Sequence, residues 1–396
     1  MRVAHLITRM IVGGAQENTL FTCQDLQQIH GDDVLLITGP ALGPEGNLLE
    51  KSRGGGVPIR LVDNLRREIE PLRDYRAYGE LLKVLKEFRP DVVHTHSAKA
   101  GLLGRQAAWK LGVPVVVHTV HGAPFHPYQP WVARQFFTFC ERLAAERCHH
   151  LISVADAMTD LLVEARVASR DKFTTIYSGM DVEPFLQADA HREATRQSLQ
   201  LAPEHVVIGK IARLFKLKGH DDLIQAAQEV IRQVPEVCFL LVGDGILRSR
   251  LEQEIASAGM TDHFRFTGLV APERIPSLIG AMDILVHTSL REGLARALPQ
   301  GLISGKPVVS YDIDGAREVV IPDVTGYLIP PRRTDLLGEA LSRLAQDASL
   351  RTRLGGEGSR RFTERFRHEF MTAEIRKLYA RLGGWPENAS DADPRD

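Results

Sequence analysis

Cysteine is scarce. Cys23, Cys140, Cys148 and Cys238 are the four in 396 residues, and none forms a C-x-x-C pair. This excludes a disulfide-stapled framework and fits a reduced, cytoplasmic compartment. Cys140 and Cys148 are close enough in sequence to bridge, but thiols buried on a helix are the expectation. No stretch approaches ~18 consecutive apolar residues, so no membrane span is expected. The start, MRVAHLITRMIVGG, lacks the apolar region and small-residue cleavage site of a signal peptide. Charge of one sign is not in surplus: 49 Lys+Arg stand against 50 Asp+Glu, for a net charge of -1. Residues 1–185 hold 21 against 21 and the remainder 28 against 29, so neither half is a basic arm or an acidic tail, and no nucleic-acid partner is expected. The first glycine turn is not G-x-G-x-x-G, which argues against NAD or FAD there, and H-E-x-x-H is absent. No acidic residue lies between Asp91 and Glu141. The histidines of that window (His94, His96, His118, His121 and His126) therefore lack the carboxylates and spacing of a metal site, and none is expected to bind metal.

Short runs rich in Val, Ile and Leu alternate with longer segments of helical period. In the first half the runs are 3–7, 34–37, 91–95, 113–118, 151–154 and 173–176. In the second they are 206–211, 237–242, 264–267, 284–287 and 308–310. Helical stretches such as 75–88, 223–234 and 246–258 separate them. Strands apolar on both faces and alternating with helices indicate parallel sheets in an α/β architecture. At this length two domains are the default. The expected division is an N-terminal domain 1–185, a polar linker 186–204, a second domain 205–360, a helix 361–383 packing back on the first domain, and a disordered tail 384–396.

Ligands of open α/β sheets sit beyond the carboxyl ends of the strands, so the loops there hold the candidate residues. Gly13-Gly14, ahead of a helix, lets backbone N–H groups approach a phosphate, or is a plain tight turn. Lys99, Arg105, Lys110 and Arg134 make the acid-free window locally basic, suited to a phosphate-bearing substrate or simply a solvated face. In the second half Arg213, Lys216 and Lys218 precede Gly219 in one loop, as a diphosphate clamp requires. Gly243-Asp244-Gly245 is another close-approach turn. Glu292-Gly293-Leu294-Ala295 leads into a helix expected near Arg296, since Pro299 fits only a first turn. Asp312-Ile313-Asp314 has the D-x-D form of metal-dependent transferases, but a phosphate-type glycine turn follows it.

These motifs, in order and at strand ends, resemble the retaining glycosyltransferases of family 4. They are GGAQE, DVVHTHSAKAGLLGR, HTVHG, YSGMD, RLFKLKG, LVGDG, FTGLV, REGLARALPQGLISGKPVV and DGAREVV. The resemblance implies the GT-B architecture: two Rossmann-like doubly wound domains facing a central cleft. It implies a nucleotide-sugar donor, with UDP favoured over GDP, and a glycan or lipid-linked acceptor. Arg213 and Lys218 match the cations that hold the donor diphosphate. Glu292 matches the first glutamate of E-x7-E, which contacts the donor sugar, and the backbone of Gly293, Leu294 and Ala295 lines sugar and phosphate. His121 matches the histidine near the reaction centre. Arg213, Lys218, Glu292 and His121 are thus the catalytic candidates. Gly14, Gly243 and Gly268 join the donor set; Gly13, Lys99 and Phe125 are the acceptor-side candidates. Gln300 stands where the family has its second glutamate, which holds the ribose, and Gln still offers hydrogen bonds there. No cofactor or metal is implied, the nucleotide-sugar being a substrate. The segment PFHPYQPWVARQFFTFC suggests peripheral contact with the inner face of a membrane through Phe125, Tyr128 and Trp131, with Phe136 and Phe139 expected in the core. A sugar-nucleotide epimerase and a non-catalytic sugar-nucleotide-binding protein are the competing readings. The first needs carboxylates that the acid-free window lacks.

Overall fold

The computed structural model describes residues 1–42, 46–51 and 56–386. The chain divides into two compact units. Unit 1 comprises residues 1–180 and 366–396, and unit 2 comprises 181–365.

Unit 1 is built on seven parallel strands: β1 Arg2–Arg9, β2 Asp33–Gly39, β3 Ile59–Leu61, β4 Val92–His96, β5 Val115–Val120, β6 His150–Ser153 and β7 Phe173–Thr175. Their order is β3-β2-β1-β4-β5-β6-β7. Every residue of β4, β5 and β6 is buried. Helices on both faces impose this, and it explains the unbroken apolar runs. The order reverses between β1 and β4, so the crevice of this sheet opens beyond the ends of those two strands. There Thr8 Oγ1 lies 2.7 Å from Ser97 Oγ and accepts the Ala100 N–H at 3.1 Å, tying the two strand ends together.

Unit 2 has six parallel strands: β8 Val206–Ile211, β9 Val237–Val242, β10 Phe264–Gly268, β11 Ile284–His287, β12 Val308–Tyr311 and β13 Gly326–Ile329. The order is β10-β9-β8-β11-β12-β13, with its reversal between β8 and β11.

Two boundaries differ from the sequence expectation. The polar stretch 186–204 is not a free linker. It forms the 3-10 turn Ala188–His191 and the helix Arg192–Ser198, and Arg192 and Arg196 both pair with Asp283 of unit 2, at 2.6 and 2.7 Å. Its polarity serves that carboxylate rather than solvent. The helical C-terminal region is broken at residues 363–367 into Ala348–Phe362 and His368–Gly383. Only the second helix belongs to unit 1, where Met371, Ile375, Leu378 and Tyr379 join the core under the Gly14–Gln28 helix. Asp25 anchors it by accepting from Thr372 Oγ1 and pairing with His368, both at 2.8 Å. Of the expected tail, residues 387–396 lie outside the described residues. All four cysteines are free thiols. Among the described residues no helix is long and apolar enough to cross a membrane.

Candidate active site

In unit 2 the polar groups gather at the point where the strand order reverses. The loop after β8 carries Arg213 to Gly219, and the loop after β11 carries Thr288 to Arg296. Leu290 N–H donates to the Leu217 carbonyl at 2.8 Å, so the two loops are joined. Gly219 has φ 64° and sits so close to Thr288 that a β-carbon would lie 1.9 Å from the Thr288 carbonyl oxygen. Only glycine permits this approach.

The approach places Lys218 Nζ against Glu292 Oε1, an ion pair with side chains 22% and 23% exposed. His287 Nε2 lies 3.5 Å from the same oxygen. Burial alone would push the Glu292 carboxyl up, but His287 and Lys218 outweigh it and hold the group well below the usual carboxylate range. Glu292 is therefore held as an anion. Its backbone N–H donates to Asp314 Oδ2 at 2.6 Å, and Gly315 N–H donates to the Gly293 carbonyl at 3.0 Å. The N–H groups of Gly293, Leu294 and Ala295 have no acceptor among the described residues.

Arg213 is exposed, its guanidinium 5.2 Å from the centroid of the Phe215 ring, and Lys216 is exposed too. Gly243 and Gly268 meet at the ends of β9 and β10, where Gly243 N–H donates to the Gly268 carbonyl at 3.2 Å. The helix expected near Arg296 is Ala297–Ile303, only two turns long. Gln300 is half-buried on it, and the other six residues are buried. Asp312 and Asp314 make separate contacts. Asp312 Oδ1 accepts from Arg317 Nε at 3.1 Å, whereas Asp314 is spent on the Glu292 N–H.

Sequence reasoning missed Lys210. This lysine is 1% exposed, near the end of β8, and donates to Thr288 Oγ1 at 2.6 Å. Burial, with Lys218 nearby, lowers its pKa to about 7. A charge in the run VVIGKI was the available signal, since buried lysines are rare. The folded state disfavours protonation that the unfolded chain accepts up to its ordinary value of 10.5. Lys210 thus costs nothing above that pH, and its cost grows as pH falls toward 7 and is complete below it. Lys210→Met is expected to stabilise the unliganded protein by a few kcal/mol, on the order of 1.4 per pKa unit. Urea unfolding at pH 6.5 and pH 10 checks this. The gain should be large at the first and small at the second.

Unit 1 holds the acceptor-side candidates. A pocket of about 480 Å³ opens beyond β1 and β4, with Ile69, Leu102, Leu103, Phe136 and Phe137 on its apolar wall and Arg9, Arg67 and Lys99 as its cations. Gly13 caps the Gly14–Gln28 helix in extended conformation, and Gly14 is that helix's first residue. Two of the four cations of the basic window are neutralised from outside it. Lys99 Nζ pairs with Asp74 at 2.5 Å, and the wholly buried Arg105 pairs with Glu141 at 3.1 Å. Phe125 is buried at 3% exposure, so it cannot meet a membrane. Phe136 and Phe139, expected in the core, are instead exposed, together with Trp131 and Val132, on the Trp131–Ala145 helix.

His121 follows β5 directly and joins a histidine cluster in unit 1. His5, His94 and His96 are buried with ligand atoms within 4.8 Å of one another. Most of their nitrogens are engaged with side chains around them. His94 spends Nδ1 on the Tyr379 hydroxyl and Nε2 on Thr119 Oγ1 at 2.7 Å, while His96 uses opposite edges of its ring on His5 and His121. The geometry is that of hydrogen-bonded imidazoles.

Comparison with known proteins gives the family and the fold. Residues 13–179 match the family described as glycosyl transferase 4-like domain, and 191–361 match glycosyl transferases group 1. The chain is 29% identical over 354 residues to the Escherichia coli UDP-Gal:alpha-D-GlcNAc-diphosphoundecaprenol alpha-1,3-galactosyltransferase, covering 88% of this chain and 89% of that protein. It is 23% identical over 332 residues to the Staphylococcus aureus capsular polysaccharide biosynthesis glycosyltransferase CapM, covering 81% and 84%. In fold it is similar to Anabaena HepE in complex with UDP, with a TM-score of 0.81 and 22% identity over 96% of this chain and all of that one.

Proposed function

Since the chain belongs to the group 1 glycosyl transferases and is a glycosyltransferase of GT-B fold, we propose that it moves a sugar from a UDP-sugar held by unit 2, with retention of configuration, to a lipid-linked or glycan acceptor held by unit 1. The reading places it in synthesis of cell-surface polysaccharide or glycoconjugate. The observation that carries it is the Lys218–Glu292 pair at the reversal of the unit 2 sheet. Cations and anion stand there within one site, as a diphosphate with a sugar attached requires.

In this reading Lys218 and Arg213 neutralise the leaving diphosphate, and the N–H groups of Gly293 to Ala295 donate to sugar and phosphate oxygens. Glu292, held ionised, accepts from sugar hydroxyls, and Gln300 holds the ribose. The acceptor oxygen bonds to the anomeric carbon as the bond to phosphate breaks, and the acceptor's proton passes to the departing phosphate oxygen on the same face. No protein nucleophile takes part. Stabilising the developing diphosphate charge is the main catalytic device, and the protein's own cations perform it without a metal ion.

The acceptor pocket supports a lipid-linked substrate. Its apolar wall continues into the exposed Phe136, and Trp131, Val132 and Phe139 extend the same helix surface. An amphipathic face of this kind suits peripheral contact with a membrane surface. The E. coli relative, by its name, glycosylates a diphosphoundecaprenol-linked sugar.

The test is a transfer assay with UDP- and GDP-sugars on a polyprenyl-diphosphate sugar acceptor, run after exhaustive EDTA treatment. Product of retained anomeric configuration from a UDP-sugar is expected, with undiminished rate. Loss of activity on chelation, with recovery on Mn²⁺ or Mg²⁺, would overturn metal independence. An inverted product would overturn the same-face mechanism.

A further inference from the structure

The histidine cluster of unit 1 follows from strand register. Residues two apart share a sheet face. His5 of β1 pairs in register with His94 of β4, and His96 with Thr119 of β5, so His5, His94, His96 and Thr119 stand on one face, and His121 joins them just past the end of β5. Helices Gly14–Gln28 and His368–Gly383 supply Leu20 and Leu26, and Ile375 and Tyr379, to the same core, and they dry the cluster.

Three of these imidazoles form a line. His5 Nδ1 lies 3.0 Å from His96 Nε2, and His96 Nδ1 lies 3.1 Å from His121 Nε2. Ring planes along the line differ by only 16° and 26°, which keeps each N–H direction aimed at the next ring. Burial holds His5 down to about 3 and His96 well below its ordinary value, so both are neutral. A neutral imidazole carries one N–H and one lone pair. Two hydrogen bonds in series can therefore point only all one way or all the other. In the inward direction the buried His5 Nε2 would carry a hydrogen. That atom has no partner among the described residues. An orphaned buried N–H is costlier and rarer than an orphaned acceptor. The line therefore runs outward: His5 Nδ1–H donates to His96 Nε2, and His96 Nδ1–H donates to His121 Nε2.

We propose that His5 and His96 are positioning residues that lock His121 in the Nδ1–H tautomer, so that it meets the substrate as a neutral hydrogen-bond donor and not as a base. The tautomer follows from the unit 1 geometry alone. Its use in transfer rests on the reading of His121 as the histidine that meets the donor sugar. A donor there suits a sugar hydroxyl or phosphate oxygen. A bare Nδ1 lone pair would instead compete for the acceptor's proton.

Long-range ¹H–¹⁵N spectra of ¹⁵N-histidine-labelled protein read the tautomer, with His121 assigned by its loss in His121→Ala. The expected result at pH 7.5 is a neutral His121 protonated at Nδ1. An Nε2–H or imidazolium His121 in the wild type would overturn the proposal, and this requires no variant of the buried residues. His96→Gln, whose amide still donates, should keep both the tautomer and most of kcat. His96→Leu should lose the tautomer and lower kcat about tenfold with donor KM little changed. Equal kcat in the Gln and Leu variants would overturn the positioning role. A confirmed tautomer with wild-type kcat in His121→Ala would leave the hydrogen-bonded line standing and overturn the part of His121 in transfer.

Discussion

Lys218→Ala is expected to lower kcat/KM roughly 30- to 100-fold, about 2–3 kcal/mol at ~1.4 kcal/mol per decade. Two losses combine. The diphosphate loses a charge-assisted contact, and Glu292 loses its paired cation. Glu292→Ala should act mainly on kcat, because its partner is the sugar that reacts. As the two side chains are each other's counter-ion, the double variant should be less impaired than the two single effects summed. Steady-state kinetics on the three variants check this. Strict additivity would show that the pair does not work as one unit, and unchanged kinetics in a folded Lys218→Ala would remove this loop from the donor site.

A second large effect is expected at the exposed face of the Trp131–Ala145 helix. The double variant Trp131→Ser with Phe139→Ser should bind anionic vesicles at least ~100-fold more weakly than wild type. Each large apolar side chain transferred from water to the lipid boundary contributes ~1.5–3 kcal/mol. The side chains are 72% and 62% exposed, so the folded state loses little and the melting temperature should hold. Co-sedimentation with vesicles measures the effect. Equal binding of variant and wild type would detach this helix from any membrane role.

The fold was legible where burial on both faces wrote itself into composition, as in β4, β5, β9 and β12. It was not legible in β3, three exposed residues at a sheet edge, or in β13, which opens on Gly326. Edge strands pack on one side at most and need no apolar run. The loops at the strand ends were legible because topology dictates their place. Their internal bonds were not, since local sequence holds no record of a partner supplied from elsewhere. Asp74 and Glu141 neutralise Lys99 and Arg105 from outside the acid-free window. Phe136 and Phe139 were misassigned for a related reason. Helical spacing alone does not tell a core face from an apolar face left open to solvent. His5 drew no notice as a single histidine in an apolar strand, and only the register with β4 brings it to His94 and His96.

The central claim is that the loops after β8 and β11 form a diphosphate clamp. Calorimetric titration with UDP and uridine, and with GDP and guanosine, addresses it most directly. One nucleoside diphosphate should bind, its nucleoside should bind far more weakly, and Lys218→Ala should lose most of the difference. Binding of neither diphosphate, or diphosphate binding unchanged in Lys218→Ala, would contradict the account.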